Sequence, residues 1–354
     1  MHDDLIQFGG AEKLLLAIHD IWPDAPVYTS VVSKKWRKVC KDLNITVKSS
    51  FMQHLPFIEK LNRFYSLLLF HVLAFESFDF SQYDVVLSIS ARYAHGIITK
   101  PHTKHICYMN SPGRMFWEPH NYFENEKIGS WAVQPILSHL RLWDYSAAQR
   151  VDHFIANSKT PQARIKKYYG RESTIIYPFV DTHKFKPVNT PNGNYYLIIT
   201  RLLAWKHVEI AIRACIDLNI SLKIVGEGPA LSALKSIATA NIEFLGYVSE
   251  SQKLTLLQNC KAVINTQHED FGIVPLEAMA CGRPVVAYGK GGVLETVVPG
   301  TTGEFFYDQT SVALKKVLTG FNPAKYSSQT CRAQADRFTK TLFERNITLY
   351  LGNE

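Results

Sequence analysis

The chain has 354 residues, more than one hydrophobic core usually supports, so we expect two domains. Hydrophobic residues make up 46% and charged residues 20% of the sequence, a globular composition that excludes a mainly disordered or fibrous chain. The net charge is +8, and each half carries +4, with 21 basic against 17 acidic residues in 1–182 and 18 against 14 in 183–354. Positive charge spread in this way favours anionic partners such as nucleotides, phosphorylated lipids, membrane surfaces or nucleic acid.

The cysteines and the first residues indicate a cytoplasmic protein. No two of the six cysteines lie within three residues of each other, and no cysteine–histidine spacing resembles a zinc site. Most lie in apolar runs, as buried thiols do in a reducing compartment. No run of eighteen uncharged apolar residues is present, and the start MHDDLIQFGG lacks the basic and apolar regions of a signal peptide. We therefore expect a cytoplasmic chain without a membrane span.

Short apolar runs alternate with helical patterns along the chain, which is typical of parallel α/β sheets. The predicted strands of the first half are 84–90, 105–110, 152–158 and 174–180. The predicted strands of the second half are 195–200, 222–225, 242–245, 262–266, 284–288 and 303–306. Between the halves, the polar stretch 184–194, with two prolines and a glycine, predicts a linker. The fold class is therefore α/β, with two doubly wound, Rossmann-like domains that face each other across a cleft.

The expected boundaries are 1–183 for the first domain, 184–194 for the linker, 195–325 for the second domain, and 326–354 for a long amphipathic helix that could pack back on the first domain.

One element of the α/β pattern is absent at the start of the chain. Gly9 and Gly10 predict a strand-to-helix turn, but only eight residues precede them, and none predicts a strand. We therefore expect the first central strand to be missing or shortened.

The densest chemical signal is the segment Glu269–Glu277, which follows a predicted strand and opens a helix. Glu269 is expected in the loop at the end of the strand, and the N–H groups of Gly272, Ile273 and Val274 would form an anion site at the helix start. Glu277 would lie about one turn further in. This order of groups suits a sugar, a diphosphate and a ribose. For this segment alone, a buried strand-turn-helix with two solvated glutamates is an equally good interpretation.

Two further loops follow predicted strands of the second half, where α/β sheets bind ligands. Arg201 and Lys206 would point positive charges into the cleft and stabilise charge that develops on a leaving diphosphate, as a magnesium ion does elsewhere. The chain has no Asp-x-Asp, the usual carboxylate clamp for a metal-bound nucleotide sugar, so we expect no metal. Gly226–Pro229 forms the other loop. Two exposed basic residues beside a helix start are a common alternative for such a pair.

Together these segments resemble the retaining glycosyltransferases of family 4, which have the GT-B fold. The resemblance rests on Glu269–Glu277, Arg201 with Lys206, Gly226–Pro229, Gly9 with Gly10, Gly291–Glu295 and Ala280–Ala287. The segments Tyr108–Arg114 and Arg141–Asp144 resemble bacterial mannosyltransferases that build surface polysaccharides. The match extends over nearly the whole chain, apart from the absent first strand.

The resemblance implies a role for each matching residue, with the acceptor on the first domain and the nucleotide sugar on the second. Glu269 would contact the hydroxyls of the donor sugar, and Glu277 the ribose. The N–H groups of Gly272, Ile273 and Val274 would bind the diphosphate, which Arg201 and Lys206 would neutralise as it departs. The remaining implied donor contacts are Glu227, Gly228, Val248 in the base-binding loop 247–249 and, from the opposite domain, Gly9, Gly10 and Asn110.

Asn110 departs from the family pattern, because many relatives have a histidine there, near the bond that is broken. Asparagine can donate a hydrogen bond to a sugar hydroxyl but cannot exchange protons near neutral pH. Either proton transfer does not depend on this position, or the donor phosphate takes the proton of the acceptor. The second option fits a front-face retaining mechanism, which we prefer over a covalent glycosyl-enzyme. Arg114 is interpreted equally well as a phosphate ligand or as a surface residue.

The acceptor side gives a weaker signal. Ser33–Lys41 places five cations around Trp36, and Phe51–Phe80 is rich in Leu and Phe. Together they could form a patch on an anionic membrane that carries a lipid-diphosphate acceptor. A solvated helix face explains the lysine cluster equally well, and ordinary core helices are the better interpretation of Phe51–Phe80. The scattered histidines show no paired spacing and are expected to be structural.

We therefore predict a metal-independent retaining glycosyltransferase. It would move a hexose, with mannose expected, from a GDP- or UDP-linked donor to a glycan or lipid-linked acceptor, in the cytoplasm or on the inner face of a membrane. The alternative is a nucleotide-sugar-binding protein that has lost catalysis, which the absent strand and Asn110 favour. A dinucleotide-dependent oxidoreductase would need Gly-x-Gly-x-x-Gly after a strand, which is absent. Evenly spread charge is a weak argument for nucleic-acid binding.

Overall fold

The computed structural model describes residues 1–119, 130–188 and 193–353. It divides into two compact units, one formed by Met1–Tyr177 with Asn346–Glu354 and the other by Pro178–Arg345. The first unit thus ends at Tyr177 rather than at residue 183. The predicted linker 184–194 belongs to the second unit, and residues 189–192 within it lie outside the described residues.

The first unit is built on short parallel strands. They are β1 (Val27–Thr29), β2 (Val47–Ser49), β3 (Val85–Ser90), β4 (Lys104–Met109), β5 (His153–Ala156) and β6 (Thr174–Ile175). β1 pairs with β2, and β3 to β6 pair in sequence order. The sequence predicted β3, β4 and β5 but missed β1 and β2, because three residues give too short a pattern. β6 is shorter than the predicted 174–180, since Pro178 has no N–H for a strand ladder.

The start of the chain occupies the place of a strand between β1 and β3. The amino group of Met1 donates to the Leu87 carbonyl at 3.0 Å, and the N–H of His2 donates to the Tyr28 carbonyl at 2.9 Å. His2 forms parallel bridges with Thr29 on one side and Ile89 on the other. The first central strand is thus shortened to Met1 and His2, in agreement with the prediction that it is missing or shortened.

Helices cover the strands of the first unit. They are α1 (Gly10–Ile21), α2 (Lys34–Asp42), α3 (Ile58–Leu67), α4 (Phe70–Glu76), α5 (Arg114–Trp117), α6 (Ser130–Gln149) and α7 (Lys159–Tyr169). α1 buries Leu14, Ala17 and Ile18, the i, i+3 and i+4 positions of one helix face. On β4, His105 is fully buried with Nε2 2.8 Å from the Ser88 hydroxyl, and burial lowers its pKa to about 3. It is therefore neutral near pH 7, which fits the structural role expected for the scattered histidines.

The second unit contains one six-stranded parallel sheet. Its strands are β7 (Tyr195–Ile199), β8 (Ser221–Val225), β9 (Ile242–Gly246), β10 (Ala262–Asn265), β11 (Val285–Tyr288) and β12 (Gly303–Phe306). The strand order is β12-β11-β10-β7-β8-β9. All six strands agree with the prediction to within one residue, and the buried residues of the unit's core include Leu222, Ile224, Ala262 and Ile264. The predicted α/β class is confirmed.

The helices of the second unit connect these strands. They are α8 (Val208–Asp217), α9 (Leu231–Ser236), α10 (Glu250–Asn259), α11 (Ile273–Ala280), α12 (Val293–Thr296), α13 (Ser311–Gly320), α14 (Ser328–Ala335) and the start of α15 (Lys340–Asn353). The single helix predicted over 326–354 is wrong. A 3-10 turn at Asp336–Phe338 ends α14, and Thr339 then caps α15 through its hydroxyl. Residues from Asn346 onward belong to the first unit.

All six cysteines are buried and none forms a disulfide, as expected for buried thiols. They are Cys40, Cys107, Cys215, Cys260, Cys281 and Cys331. Burial raises the pKa of the Cys215, Cys260, Cys281 and Cys331 thiols to about 12, so these groups are protonated and unreactive near pH 7. Over the described ranges, no helix is both long and apolar enough to cross a bilayer.

Candidate active site

The six-stranded sheet has a topological switch point between β7 and β10. These two strands are neighbours, with Tyr196 paired to Ala262, but the chain continues from β7 to β8 on one side and from β10 to β11 on the other. The loops that follow the two strands therefore diverge and leave a crevice at their carboxyl ends, the usual ligand site of open α/β sheets. Residues 200–207 follow β7, and residues 266–272 follow β10.

Lys206 and Glu269 meet at this switch point. Lys206 ends a short 3-10 turn (Ala204–Lys206), is 8% exposed, and places Nζ 3.3 Å from Oε1 of Glu269. The side-chain amide nitrogen of Gln267 donates a hydrogen bond to the same Glu269 oxygen. The Thr200 hydroxyl donates to Oε1 of Gln267 at 3.1 Å. The ammonium of Lys206 also lies 4.1 Å from the centre of the Trp205 ring. The carboxylate is therefore held in place from two sides.

Gln267, Thr200 and Trp205 were not predicted as site residues, although all three lie in the loops that the sequence had identified. Arg201 precedes Lys206 in the loop after β7, and its side chain is exposed. The structure thus brings Lys206 into direct contact with Glu269, and it places Arg201 at the solvent-facing side of the same loop. The roles proposed for these residues stay predictions.

The loops after β7 and β8 pack backbone against backbone. Gly226 has φ +134°, and a Cβ at this position would lie 1.8 Å from the Thr200 carbonyl oxygen. A Cβ at Gly228 would lie 2.3 Å from the Leu202 carbonyl oxygen. The N–H of Leu202 donates to the Glu227 carbonyl at 2.9 Å. Both glycines are therefore required for the loop after β7 to keep its position.

The loop after β9 lies next to Glu227. A Cβ on Gly246, the last residue of β9, would lie 3.8 Å from the Glu227 carboxylate. Val248 follows it half-buried, between β9 and α10, and the Tyr247 side chain is 73% exposed. The predicted base-binding loop 247–249 is thus adjacent to the glycine loop after β8.

Helix α11 presents its amino end beside Glu269. Gly272 is the N-cap with φ +94°, and it makes no side-chain capping bond; Ile273 and Val274 form the first two helical positions. No acidic residue lies in the first turn of α11. The positive end of the helix dipole is therefore not offset there by a side chain of that turn and favours an anionic ligand. The loop before it is fixed by the glycine pair 291–292, because the N–H of Gly292 donates to the Glu269 carbonyl at 2.9 Å.

Glu277 lies in the second turn of α11 and is more enclosed than expected. Its side chain is 2% exposed, and Oε2 lies 2.5 Å from Nζ of Lys253 on α10, itself 12% exposed. Lys253 was not predicted as a site residue. Because the two residues lie far apart in the sequence, no local pattern indicates their pairing.

The remaining predicted residues lie in the first unit. Gly9 is the N-cap of α1 and Gly10 its first residue, as the predicted turn requires. Asn110 follows β4, and its N–H donates to the Ser90 carbonyl at 2.8 Å. Its side-chain amide nitrogen is buried and makes no hydrogen bond within the described part of the chain. Arg114 is the first residue of α5.

Asp144, the last residue of the Arg141–Asp144 segment, organises a buried polar network in the first unit. Its Oδ2 accepts hydrogen bonds from Trp117 Nε1 at 2.7 Å and from the Tyr169 hydroxyl at 2.8 Å. Its Oδ1 lies 3.2 Å from Nε2 of His95, and Nδ1 of that ring lies 3.1 Å from the Ser90 hydroxyl. Asp144, His95 and Ser90 are fully buried. The segment therefore has a packing role in this structure.

An apolar surface with basic neighbours lies on the outside of the first unit. Phe57 and Leu68 cap the two ends of α3, and with Leu61 and Phe64 on the helix they lie three or four positions apart; the exposed fractions of Phe57, Leu61, Phe64 and Leu68 are 75%, 41%, 55% and 44%. The N–H of Lys34, the first residue of α2, lies 3.4 Å from a carboxylate oxygen of Glu59 on α3, so the two helices are neighbours. The exposed cations of α2 are Lys34, Lys35, Arg37, Lys38 and Lys41. We call these nine residues the α2–α3 face.

The α2–α3 face corrects one preferred interpretation of the sequence. Within Phe51–Phe80, ordinary core packing holds for Ile58, Val72, Phe75 and Phe80, which are buried. The interpretation as ordinary core packing is wrong for the outer side of α3 and its two ends, because four large apolar side chains there are exposed.

Residues 179–321 match the family model described as glycosyl transferases group 1. The chain is similar to the alpha-1,3/1,6-mannosyltransferase ALG2 of Dictyostelium discoideum, with 54% identity over 43% of this chain and 48% of the relative. It is also similar to the ALG2 of Saccharomyces cerevisiae, with 32% identity over 39% of this chain and 38% of the relative. The chain thus spans about half the length, or less, of the curated relatives it matches.

Solved structures extend the similarity over the whole chain. The complex of Anabaena HepE with UDP and glucose has a TM-score of 0.72 and 19% identity, and covers 100% of this chain and 98% of that one. Sucrose-phosphate synthase from Thermosynechococcus elongatus has a TM-score of 0.74 and 16% identity, and covers 99% and 94%. These likenesses confirm the predicted GT-B fold, and the match over residues 179–321 confirms the predicted resemblance to glycosyltransferases.

Proposed function

Because the chain carries a group 1 glycosyltransferase module at residues 179–321 within a GT-B fold, we propose that it transfers a hexose from a nucleotide-diphosphate sugar with retention of configuration. The observation that carries this proposal is the contact of Lys206 with Glu269, beside the amino end of α11 at the switch point of the sheet. Mannose is the proposed hexose, since the ALG2 relatives are named mannosyltransferases. The proposed acceptor is a glycan or a lipid-linked glycan.

The donor is proposed to lie along the loops after β7 and β10. HepE was solved with UDP and with UDP-glucose, which supports a nucleoside diphosphate sugar. Glu269 would accept hydrogen bonds from the sugar hydroxyls, and the N–H groups at Gly272–Val274 would bind the diphosphate. Lys206 and Arg201 would offset its charge. Two cations supplied by the protein make a metal unnecessary in this proposal.

The proposed reaction breaks the bond between the anomeric carbon and the donor phosphate while the acceptor oxygen attaches on the same face of the sugar. Charge grows on the departing diphosphate, where Lys206 and the amino end of α11 stabilise it. The acceptor hydroxyl must lose a proton, and Asn110 cannot accept it near neutral pH. The departing phosphate oxygen takes this proton, so atoms and charge balance without a protein base.

A panel of nucleotides tests the donor proposal. Thermal unfolding would be measured with GDP, UDP and ADP and with their mannose, glucose and galactose esters, each with and without EDTA. A ligand at 100 times its Kd adds about 2.7 kcal/mol of stability, which is readily seen as a higher Tm. We expect stabilisation by GDP- or UDP-mannose and sugar transfer in the presence of EDTA. Stabilisation by none of the nucleotides would contradict the donor, and loss of transfer with EDTA would contradict the metal-independent mechanism.

The α2–α3 face supports a second part of the proposal, a peripheral contact with an anionic membrane that carries the acceptor. Exposed aromatic side chains beside a row of lysines suit the interface between lipid headgroups and acyl chains. Each basic residue near an anionic surface contributes about 1 kcal/mol, or about a fivefold change in binding.

Vesicle co-sedimentation tests this contact. Binding should be strong to phosphatidylcholine vesicles that contain phosphatidylserine and weak to phosphatidylcholine alone. Replacing Phe57 and Phe64 by serine should weaken binding about tenfold or more, because each ring loses its apolar transfer energy. Val312→Ser removes an equally exposed side chain, 75% exposed on α13, and serves as the matched control. Equal binding by the double variant and the control would contradict the proposal.

A nucleotide-sugar-binding protein without catalysis is the second candidate, and Asn110 is the residue that favours it. Stabilisation by nucleotide sugars without transfer or donor hydrolysis, in the presence of lipid-linked and free glycan acceptors, would support this candidate over the enzyme.

A further inference from the structure

We propose that Gln267 is a positioning residue that orients the Glu269 carboxylate toward the hydroxyls of the donor sugar. This inference rests on the proposed function, because it assumes that Glu269 contacts a sugar carried by a nucleoside diphosphate. Gln267 lies outside the segments on which the family resemblance rests. Its effect is expected on the sugar half of the donor and not on the nucleotide half.

Gln267 is a buried amide whose two described side-chain hydrogen bonds end on other side chains of the crevice. It is 6% exposed and lies in the loop after β10. Its amide nitrogen donates to Oε1 of Glu269, and its own Oε1 accepts from the Thr200 hydroxyl at 3.1 Å. Most side-chain hydrogen bonds in proteins go to the backbone or to water. A buried amide that instead joins side chains of two switch-point loops is suited to hold a ligand-binding group in place.

The direction of the amide is determined by its two neighbours. The Glu269 carboxylate, paired with the Lys206 ammonium, accepts hydrogen bonds and donates none, so the Gln267 nitrogen has to face it. With the amide inverted, two acceptor oxygens would meet with no proton between them. The Thr200 hydroxyl donates to the amide oxygen, and the Thr200 N–H donates to the Val225 carbonyl at 3.0 Å. A chain of hydrogen bonds therefore runs from the end of β8 to the carboxylate.

Gln267 and Lys206 act differently on this carboxylate. The Lys206 ammonium lies 3.3 Å from the same Oε1 of Glu269, and it is a compact charge that attracts the oxygen from any direction. The planar amide of Gln267 donates along a fixed direction and therefore restricts the rotation of the carboxylate plane. The Glu269 side chain is 22% exposed, so a ligand in the crevice can reach it. Lys206 thus supplies charge, and Gln267 supplies orientation.

Gln309 is a matched comparison in the same part of the unit. It is half-buried, and its side-chain amide donates to the carbonyl of Thr266, the residue before Gln267, at 2.8 Å. Gln309 therefore supports the backbone of the loop that carries Gln267 and Glu269. If support of this loop were all that mattered, the loss of either glutamine would have the same effect on every ligand.

The test compares free nucleotides with their sugar esters. GDP with GDP-mannose, and UDP with UDP-glucose, would be titrated by calorimetry into the wild type, Gln267→Leu and Gln309→Leu. We expect Gln267→Leu to weaken the sugar ester about tenfold, the size of a hydrogen bond to a charged group, and to leave the free nucleotide unchanged. Gln309→Leu should bind both forms as the wild type does. In a Glu269→Ala background, Gln267→Leu should cause no further loss, because no carboxylate is left to orient.

Two variants of Thr200 give a second test, which also applies if Gln267→Leu does not fold. Thr200→Val removes the hydroxyl that donates to the amide and should weaken the sugar ester about fivefold, the size of a neutral hydrogen bond. Thr200→Ser keeps the hydroxyl and should restore binding. Equal weakening of nucleotide and sugar ester by the Gln267 or Thr200→Val variant, or no weakening of either, would overturn the inference alone. Wild-type protein that binds neither GDP nor UDP would overturn the proposed function with it.

Discussion

Lys206→Met and Glu269→Gln should each lower kcat about a hundredfold to a thousandfold, the loss measured when one preorganised group is removed from a developing charge. Lys206 is 8% exposed and lies 3.3 Å from Glu269, so its charge acts in a site with little water to screen it. Glu269→Gln keeps the shape of the side chain but weakens its hydrogen bonds to sugar hydroxyls. Arg201→Ala should lower kcat by a smaller factor, because the Arg201 side chain is exposed and solvent screens its charge.

Single-turnover transfer with the nucleotide-sugar donor measures this effect directly. Lys223→Met and Glu243→Gln remove the two charges of a surface pair on the same sheet and should keep normal turnover. The double variant Lys206→Met with Glu269→Gln should lose less than the product of the two single losses, since the residues contact each other. Normal turnover in both single variants would show that the chemistry takes place elsewhere.

Asp144→Ala should destabilise the first unit by about 3–5 kcal/mol, because it leaves the buried Trp117 and Tyr169 donors unpaired and removes packing volume. Asp144 is fully buried and serves three groups, at 2.7 Å, 2.8 Å and 3.2 Å. Alanine would leave the polar atoms of Trp117, Tyr169 and His95 without this partner in an environment that water does not reach. These unpaired donors and the cavity left by the smaller alanine side chain determine how much stability the first unit loses.

Thermal unfolding followed by near-ultraviolet circular dichroism would detect this change, because Trp117 and Tyr169 report on their own packing. A loss of this size should lower the Tm of the first unit by roughly 10 °C. Glu172→Ala is the control, since Glu172 is a surface partner of Lys166 and surface pairs contribute about 0–1 kcal/mol. A Tm for Asp144→Ala within about 2 °C of this control would contradict the structural role of the network.

The second unit was well predicted because its strands are continuous buried runs, each followed by a loop with distinctive residues. Gly226 and Gly228 were predicted to lie in a loop after a strand, and the structure places carbonyl oxygens close to where their Cβ atoms would be. Glu269 and Lys206 were expected near each other because they follow β10 and β7, and parallel strands end at the same edge. Local sequence therefore carried enough information for this part of the site.

Contacts between distant residues could not be predicted in the same way. Lys253 lies on α10 in a pattern that fits any solvent-facing helix position, and only the packing of α10 beside α11 brings it to Glu277. The role of Asp144 could not be predicted from local sequence either, because its three partners come from separate segments of the first unit. The exposed side of α3 has the same composition as a core helix, and composition alone does not tell which face packs inward.

The order of strands in the second unit also affects how the protein is made. Tyr196 on β7 pairs with Ala262 on β10. During synthesis, one edge of β7 therefore stays unpaired until β8, β9 and three helices have been made and β10 follows. Contacts of this kind slow folding, and an unpaired strand edge can join to another chain in the meantime. The pairing that completes the switch point is thus also the step at which a nascent or truncated chain is most exposed to aggregation.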